Sequence, residues 1–290
     1  MANGILNILK PANMTSHQVV AYIRKKLKLN KVGHTGTLDP MATGILPICI
    51  GKATRVSEYV TDLTKSYRAE ITFGLVSDTG DLDGNIKVLV QNPEIAEEDL
   101  KQVLKEFTGT ITQIPPKASA IKVNGKKLYE YHREGLEVEI PSREVTIYSL
   151  KLVEDFPLTS NKGYIDIHCS KGTYIRTLCQ DIGEKLGTGA LMSYLIRTSV
   201  GPFNLKNALF LHQITEENYL KYLHPMDSVL THLDKVILPK YMAKKIVNGL
   251  SVNNTSNLYS SEVRVYDEDN NFIAICKNLD GMLKPHKVFN

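Results

Sequence analysis

One aspartate sits where a turn meets a stretch built to be buried. Asp39 lies in "GHTGTLDPMATGILPICIGKAT", Gly33 to Thr54, which holds three glycines in its first dozen residues, an Asp-Pro step and then an almost uncharged apolar run. A lone Asp before Pro is ordinarily a turn-former. Its catalytic reading is a carboxylate projected from a tight turn whose backbone is fixed from beneath. Phosphate-loop readings of the stretch fail, because GxxxxGK[ST] needs a Lys that "GHTGTLDP" lacks, and "GTLDPMATG" is not GxGxxG. The GxSxG elbow is absent, and although Asp39 and His34 could be two members of a nucleophile triad, no Ser or Cys nearby has the setting for a third. "SDTGDLDG", Ser77 to Gly84, resembles a calcium loop, but the loop would start at Thr79 and put Val90 where the closing Glu belongs. It reads as a β-turn.

The four cysteines, Cys49, Cys169, Cys179 and Cys276, form no CxxC pair and sit in apolar contexts, so they read as buried reduced thiols with no metal-ligand spacing. With 290 residues, 42% hydrophobic and 23% charged, the composition is that of a globular protein of one or two domains. No apolar run reaches membrane-spanning length. The N-terminus lacks a basic start, an apolar core and a cleavage site, so a cytoplasmic location is expected. The formal net charge of +4 decides little, but its distribution is uneven. "YIRKKLKLNK" carries five basic residues and no acid; "KASAIKVNGKKLYEYHR" carries five more beside two tyrosines. Such clusters suit a polyanion with bases to stack on, or they are solvated surface.

Certain elements must position these groups. "MTSHQVVAYIRKKLKL" reads as an amphipathic helix with Thr15 as its cap, Gln18 completing a capping box, and Val19, Val20, Ile23 and Leu27 as its apolar stripe. Arg24, Lys25 and Lys28 fall off that stripe. "YRAEITFGLVSD" alternates like a half-buried strand. "EEDLKQVLKEFTG" reads as a helix closed by Gly109. "REVTIYSLKLVEDF" and "YIDIHCSKG" read as strands, and "TYIRTLCQDIGEKLG" as a helix stopped by Gly187. The mixture lacks regular βαβ units, so an α+β fold is expected, with a mixed, mainly antiparallel sheet and flanking helices. From about residue 236, a short helix and the hairpin "EVRVYDEDNNFIAICKN" predict a small, mostly β C-terminal domain, residues 236–290, after a first domain of residues 1–235.

The Gly33–Thr54 stretch closely resembles the signature of the TruB family, bacterial tRNA pseudouridine synthases acting on the T-loop uridine at position 55. Other blocks agree in order: "ILKPANMTS" with a Lys-Pro motif, "KSYRAEITFG" with a Tyr-Arg pair, "GKKLYEYHREG" with an RNA-contacting insertion near 115–145, "HCSKGTYIRTLCQDIGEKLG" with an Arg-bearing motif, then "YLIRTSVGPF". The resemblance covers residues 3 to 235; beyond it the chain is similar only in size and strand pattern to a PUA domain. Two positions depart from the family pattern, Leu9 for Asp and Asn13 for Gly. Asn tolerates left-handed backbone, so the turn at Asn13 is expected to survive.

The resemblance implies a pseudouridine synthase fold and a set of roles. Asp39 is the nucleophilic or charge-bearing carboxylate and Arg176 its partner. Tyr67 packs against the target uracil, Tyr174 and Leu195 line its pocket, His34 helps hold the T-loop, and Lys10 supports the pocket floor or the backbone. Arg24, Lys25, Lys28, Lys126, Lys127 and Arg133 are candidates for RNA phosphates. The implied partner is the tRNA T-arm, with no membrane, no obligatory protein partner and a monomeric chain. Pseudouridine formation is an isomerisation, so no cofactor or metal is expected. The carboxylate could attack C1′, add to uracil C6 or remove a sugar proton, and each route needs it ionised in a mostly dry pocket. Burial would neutralise it; a bidentate guanidinium is expected to reverse that. Glycines 33, 36 and 44 are expected to allow positive φ and close approach to RNA. Rival readings are an RNA-folding chaperone without catalysis, a guide-RNA-dependent relative, and a synthase for another uridine.

Overall fold

The computed structural model describes residues 2–119, 121–155, 158, 159, 161–254, 256 and 258–289. In chain order the first elements are β1 (Gly4–Lys10), α1 (Ser16–Lys26), β2 (Val32–His34), β3 (Thr43–Ile50), α2 (Ser57–Asp62), β4 (Lys65–Phe73), β5 (Leu75–Ser77) and β6 (Ile86–Val88). There follow α3 (Glu97–Glu106), β7 (Gly109–Gln113), β8 (Lys122–Val123), β9 (Lys126–Lys127), α4 (Leu128–Arg133), β10 (Arg143–Leu152), β11 (Lys162–Cys169) and α5 (Ile175–Lys185). The last are β12 (Ala190–Val200), β13 (Phe203–Asn204), β14 (Leu209–Phe210), β15 (Asp234–Leu238), α6 (Lys240–Val247), β16 (Val252–Asn253), β17 (Glu262–Asp267), β18 (Phe272–Leu279) and β19 (Met282–Val288).

Among the described residues ten strands form one sheet, ordered β14-β1-β3-β12-β4-β11-β10-β7, with β2 on β3 and β13 on β12. Only β1–β14 and β3–β12 run parallel, so the sheet is mixed and mainly antiparallel as expected. A second sheet, β15-β17-β18-β19-β16, forms the C-terminal part, and its first strand starts at Asp234. The expected hairpin is β17–β18.

Local chemistry explains most of these elements. The Thr15 hydroxyl accepts from the Gln18 amide at 3.1 Å and the Gln18 side chain accepts from the Thr15 amide at 2.7 Å. Val19, Ile23 and Leu27 are buried under α1. In α5 the stripe Ile175, Leu178, Cys179 and Ile182 is buried against the sheet, and Gly187 follows at φ 72°. These residues share a core with Leu100, Val103 and Leu104 of α3 and with Tyr67, Ala69, Ile71 and Phe73 of β4.

Three expectations need correction. The strand β4 is not half-buried: in its second half Ala69, Ile71 and Phe73 face the core under α3 and α5, while Glu70 and Thr72 are covered by side chains from β11 and β12. Gly109 does not close α3; the helix ends at Glu106 with Phe107 as its cap, and Gly109, at φ 110°, opens β7. The strand through "REVTIYSLKLVEDF" stops at Leu152, and its expected last residue, Phe156, lies outside the described residues.

Of the glycines singled out, Gly36 and Gly44 have positive φ, 131° and 114°. Gly33 has an unstrained strand conformation with room around it, a Cβ meeting nothing nearer than a Thr54 methyl at 3.8 Å. At Gly44 the close approach is to protein rather than RNA: a Cβ there would sit 2.2 Å from the Arg197 carbonyl oxygen across the β3–β12 pairing. Gly44→Ala must push β3 off β12 and hold a strained φ, so a loss of about 2–4 kcal/mol in chemical denaturation is expected. A loss below about 0.5 kcal/mol, the scale of an ordinary surface change, would contradict this packing.

Candidate active site

The turn bearing Asp39 is fastened from three directions. From α1, the Ser16 hydroxyl accepts from the Leu38 amide at 2.9 Å. From the end of β1, Lys10, fully buried, donates to the carbonyls of Met14 at 2.6 Å, Pro11 at 2.9 Å and Pro40 at 3.2 Å. From β12, Arg197 donates to the carbonyls of Gly36 at 3.2 Å and Thr37 at 3.4 Å. Asn13 takes the left-handed conformation at φ 62°, as the sequence predicts, and its amide donates to Pro40 at 2.8 Å. Leu38 and Ala42, on either side of Asp39, are buried in the core that holds Tyr67. The apolar run behind the turn is β3, buried along nearly its whole length.

Arg176, 5% exposed in the first turn of α5, meets Asp39 with Nε 3.1 Å from Oδ2. Both of its terminal nitrogens are also engaged. Nη1 donates to the Thr79 carbonyl at 2.9 Å and lies 3.4 Å from Asp81 Oδ2, and Nη2 donates to the Ala118 carbonyl at 3.0 Å. The guanidinium therefore joins the Asp39 turn, the β5–β6 hairpin loop and the segment leading into the insertion. Asp81 is buried, and its other carboxylate oxygen accepts from the Thr79 hydroxyl at 2.6 Å and the Asp83 amide at 3.1 Å. The sequence reading passed Asp81 over as part of a β-turn. It is in a turn, but it also shares Arg176 with Asp39, and no local signal in "SDTGDLDG" reveals that.

Burial pushes the Asp39 carboxyl above its ordinary value of 3.8; Arg176 opposes the rise, while Asp81 and Asp83 add to it. The expected reversal by the guanidinium is therefore incomplete, because Arg176 divides its charge between two carboxylates. The Asp39 side chain keeps 37% of its surface accessible, and solvent through that opening limits the rise. For Lys10, burial is likewise the main influence and holds the ammonium down to about 8. Its contacts are all to backbone carbonyls, so it is a fastener of the turn.

Of the other expected residues, Tyr67 and Leu195 share a core with Leu38 and Ala42, which flank Asp39. Tyr67 is 9% exposed, and burial raises its phenol pKa against an opposing hydrogen bond and charge from Arg197. Leu195 is buried and faces Ala69 across β12–β4. Tyr174 caps α5, with Gln113 clamping its backbone: the Gln113 side chain accepts from the Tyr174 amide at 3.0 Å and donates to its carbonyl at 3.2 Å. Arg143 lies over the Tyr174 ring at 5.4 Å. Gln113 is a second residue the sequence did not single out. His34 ends β2, edge-on to His17 with ring centroids 4.9 Å apart, and its buried Nδ1 has no hydrogen-bond partner.

The basic candidates divide. Arg24 and Lys25 project from α1 into solvent. Lys28 is ion-paired with Glu216 at 2.9 Å, and Lys126 with Glu134. Lys127 and Arg133 both lie over the Tyr129 ring, at 5.4 and 5.6 Å. Ala120, within the same basic segment, lies outside the described residues. Among the described residues no cluster of His, Cys, Asp and Glu could hold a metal ion, and no helix is long and apolar enough to cross a membrane. Chemically, the site offers a guanidinium-held carboxylate beside a phenol and an apolar wall, a setting for nucleophilic or base chemistry on a small planar group.

Comparison with known proteins bears on what that group is. Residues 24–175 match the family model for the N-terminal domain of TruB family pseudouridylate synthases. Residues 176–243 match that of a tRNA pseudouridylate synthase B C-terminal domain, and residues 235–289 that of the pseudouridine synthase II TruB C-terminus. The chain is 49% identical over 250 residues to tRNA pseudouridine synthase B of Alkaliphilus oremlandii, covering 85% of this chain and 82% of the relative. It is 44% identical over 292 residues to the same-named protein of Clostridium kluyveri, covering 99% of each. Among solved structures it resembles a chain of a Cbf5-Nop10-Gar1 complex, at 28% identity and a TM-score of 0.77, over 99% of this chain and 85% of that one. The Asp39 turn, Tyr67 and Tyr174 all lie within the first matched span, and Arg176 opens the second; the chain belongs to the TruB family of pseudouridylate synthases.

Proposed function

We propose that this protein isomerises the T-loop uridine at position 55 of tRNA to pseudouridine. The observation that carries the reading is the Asp39–Arg176 ion pair, set beside Tyr67 where the family's first two matched spans meet. In the reaction the bond from C1′ to N1 breaks, the base turns, C1′ bonds to C5, the C5 proton leaves and N1 takes a proton. Atoms and electrons balance without an added reagent. Asp39 supplies the carboxylate that attacks C1′, adds to C6 or takes the sugar proton. Arg176 orients it and sustains its charge. The target base must leave its stack, at a cost of a few kcal/mol that stacking on Tyr67 and phosphate contacts offset. Leu195 and Tyr174 give the pocket its walls. His34, whose Nδ1 is buried, meets the folded T-loop with the rest of its ring.

The same reading assigns residues 1–235 to catalysis and 236–290 to a PUA-like RNA-binding domain. Lys240, Lys244 and Lys245 on α6, with the exposed Tyr241, support it. The insertion "GKKLYEYHREG" is similar to that of stand-alone synthases, which supports a monomer acting in the cytoplasm without an obligatory protein partner.

Tritium release from uracil C5 of an unmodified T-arm stem-loop tests the reaction. Wild type should release tritium and Asp39→Asn should be slower by at least about 10³-fold. Tight binding without release by either protein would leave an RNA-holding chaperone. The raised Asp39 pKa sets a pH dependence. The ionised form is required, so it is lost as pH falls through a value above 3.8, and kcat/KM should decline on the acid side from that higher point. An acid limb at or below 3.8 would contradict the burial of the carboxyl. For the insertion, Lys127→Gln with Arg133→Gln should flatten the salt dependence of T-arm binding by about 0.7–0.9 per lost phosphate contact. Lys126→Gln should change it less, because Glu134 already neutralises that lysine. An unchanged slope in the double variant would remove the clamp from the RNA interface.

A further inference from the structure

Arg197 is the largest fully buried side chain among the described residues, at 2% exposure. A buried guanidinium is expensive unless paired, yet among the described residues Arg197 forms no ion pair. Its partners are neutral. Nε donates to the Ile45 carbonyl at 2.7 Å, Nη2 to Gly36 at 3.2 Å and Nη1 to Thr37 at 3.4 Å, and the guanidinium also faces the Tyr67 phenol and acts on its charge. The backbone register explains the meeting. Arg197 of β12 stands opposite Tyr67 of β4 on one side and Gly44 of β3 on the other. One level of the sheet thus carries the phenol, the guanidinium and the glycine that lets the strands close.

Direction follows from chemistry. A guanidinium only donates, so in its contact with Arg197 the Tyr67 oxygen is the acceptor. The phenol's own proton then points away from Arg197. The same guanidinium grips the two carbonyls just before Leu38 and Asp39. One rigid fork therefore spans both groups that the proposed reaction places against the uridine.

We propose that Arg197 is a positioning residue for the isomerisation, fixing the Tyr67 phenol and the Asp39 turn in one mutual geometry. The proposal rests on the function assigned above. The hydrogen bonds of Arg197 go to protein carbonyls, so it acts through the turn and through Tyr67. Its cation also opposes the rise that burial imposes on the Tyr67 phenol, which agrees with an uncompensated charge being kept at this place.

The test is a double-mutant cycle of wild type, Arg197→Lys, Tyr67→Phe and the double variant. Single-turnover tritium release at saturating enzyme is measured beside T-arm affinity. Lysine keeps the charge but loses the fork, so release should fall about 10–100-fold, the scale of a misplaced catalytic group, with affinity within about 3-fold of wild type. In the Tyr67→Phe background the same change should cost several-fold less. Equal losses in both backgrounds, or a loss confined to affinity, would overturn the proposal. Should Arg197→Lys fail to fold, hydrogen exchange of the Arg197 guanidinium in arginine-labelled protein decides instead. Exchange should be at least about 10-fold faster in Tyr67→Phe than in wild type, and equal exchange would overturn the proposal. If wild type exchanges slowly but releases no tritium, the assigned function fails while the arginine–phenol bond stands.

Discussion

A guanidinium placed inside a protein forces other segments to come to it. Arg176 is 5% exposed, and a group that buried must have its charge opposed and its donors met. Asp39, Asp81, Thr79 and Ala118 supply this from three segments that are far apart in sequence. The start of α5 is the hub of this convergence, and the Asp39 turn, the β5–β6 loop and the start of the insertion are held against it. It also sets the electrostatics. Burial is the main force on the Asp39 carboxyl, and Arg176, which also faces Asp81, together with Lys10 leaves part of that force unopposed. The resulting carboxylate is held in place and more basic than a free one, which suits the role proposed for it.

The sheet converts this convergence into geometry. The strands β3, β12 and β4 are neighbours in space although the chain visits them third, twelfth and fourth. Placing the late strand between two early ones lets Arg197 reach Tyr67 and the Asp39 turn together. The parallel β3–β12 contact is short, with Ile196 opposite Thr43 and Arg197 opposite Gly44, and it occurs where Gly44 removes the side chain that would hold the strands apart. Lys10 and Ser16 complete the support from the opposite side. These contacts are mostly to backbone carbonyls and amides, so the turn's shape depends on which donors reach it more than on its own side chains.

What could be read from the sequence was whatever a short segment decides by itself. The Thr15–Gln18 capping box, the apolar stripes of α1 and α5, the left-handed Asn13 and the β17–β18 hairpin all follow from residues within a turn or two of one another. The motif blocks identified Asp39, Tyr67 and Arg176, though not the physical reason for their meeting. Asp81, Gln113 and Arg197 escaped because their partners lie roughly 60 to 160 residues away and their local settings are a turn, a strand end and an ordinary strand. The β4 misreading has a similar cause: Glu70 and Thr72 look like an exposed face, but Glu70 is closed over by Lys162, Tyr164 and Ser193 from the two neighbouring strands.

The joint to the C-terminal sheet adds a constraint on how RNA can lie across the chain. Ile275, Phe289 and Phe272 do not pack only within their own sheet; they share a core with Val56, Val60 and Tyr59 from the segment that follows β3. Polar contacts reinforce it. Arg55 lies over the Phe289 ring at 5.5 Å, Lys287 pairs with Glu58, and the Tyr266 hydroxyl donates to Asp227 at 2.6 Å. An apolar joint of this kind cannot slide without exposing aromatic surface to water. The segment on its catalytic side runs directly from β3, whose other end carries the Asp39 turn. A polyanion bound to the basic face of α6 would therefore meet the active site at a fixed separation and angle. For the RNA-binding role proposed for the C-terminal sheet, this means that a rigid joint converts contact at one end into placement at the other.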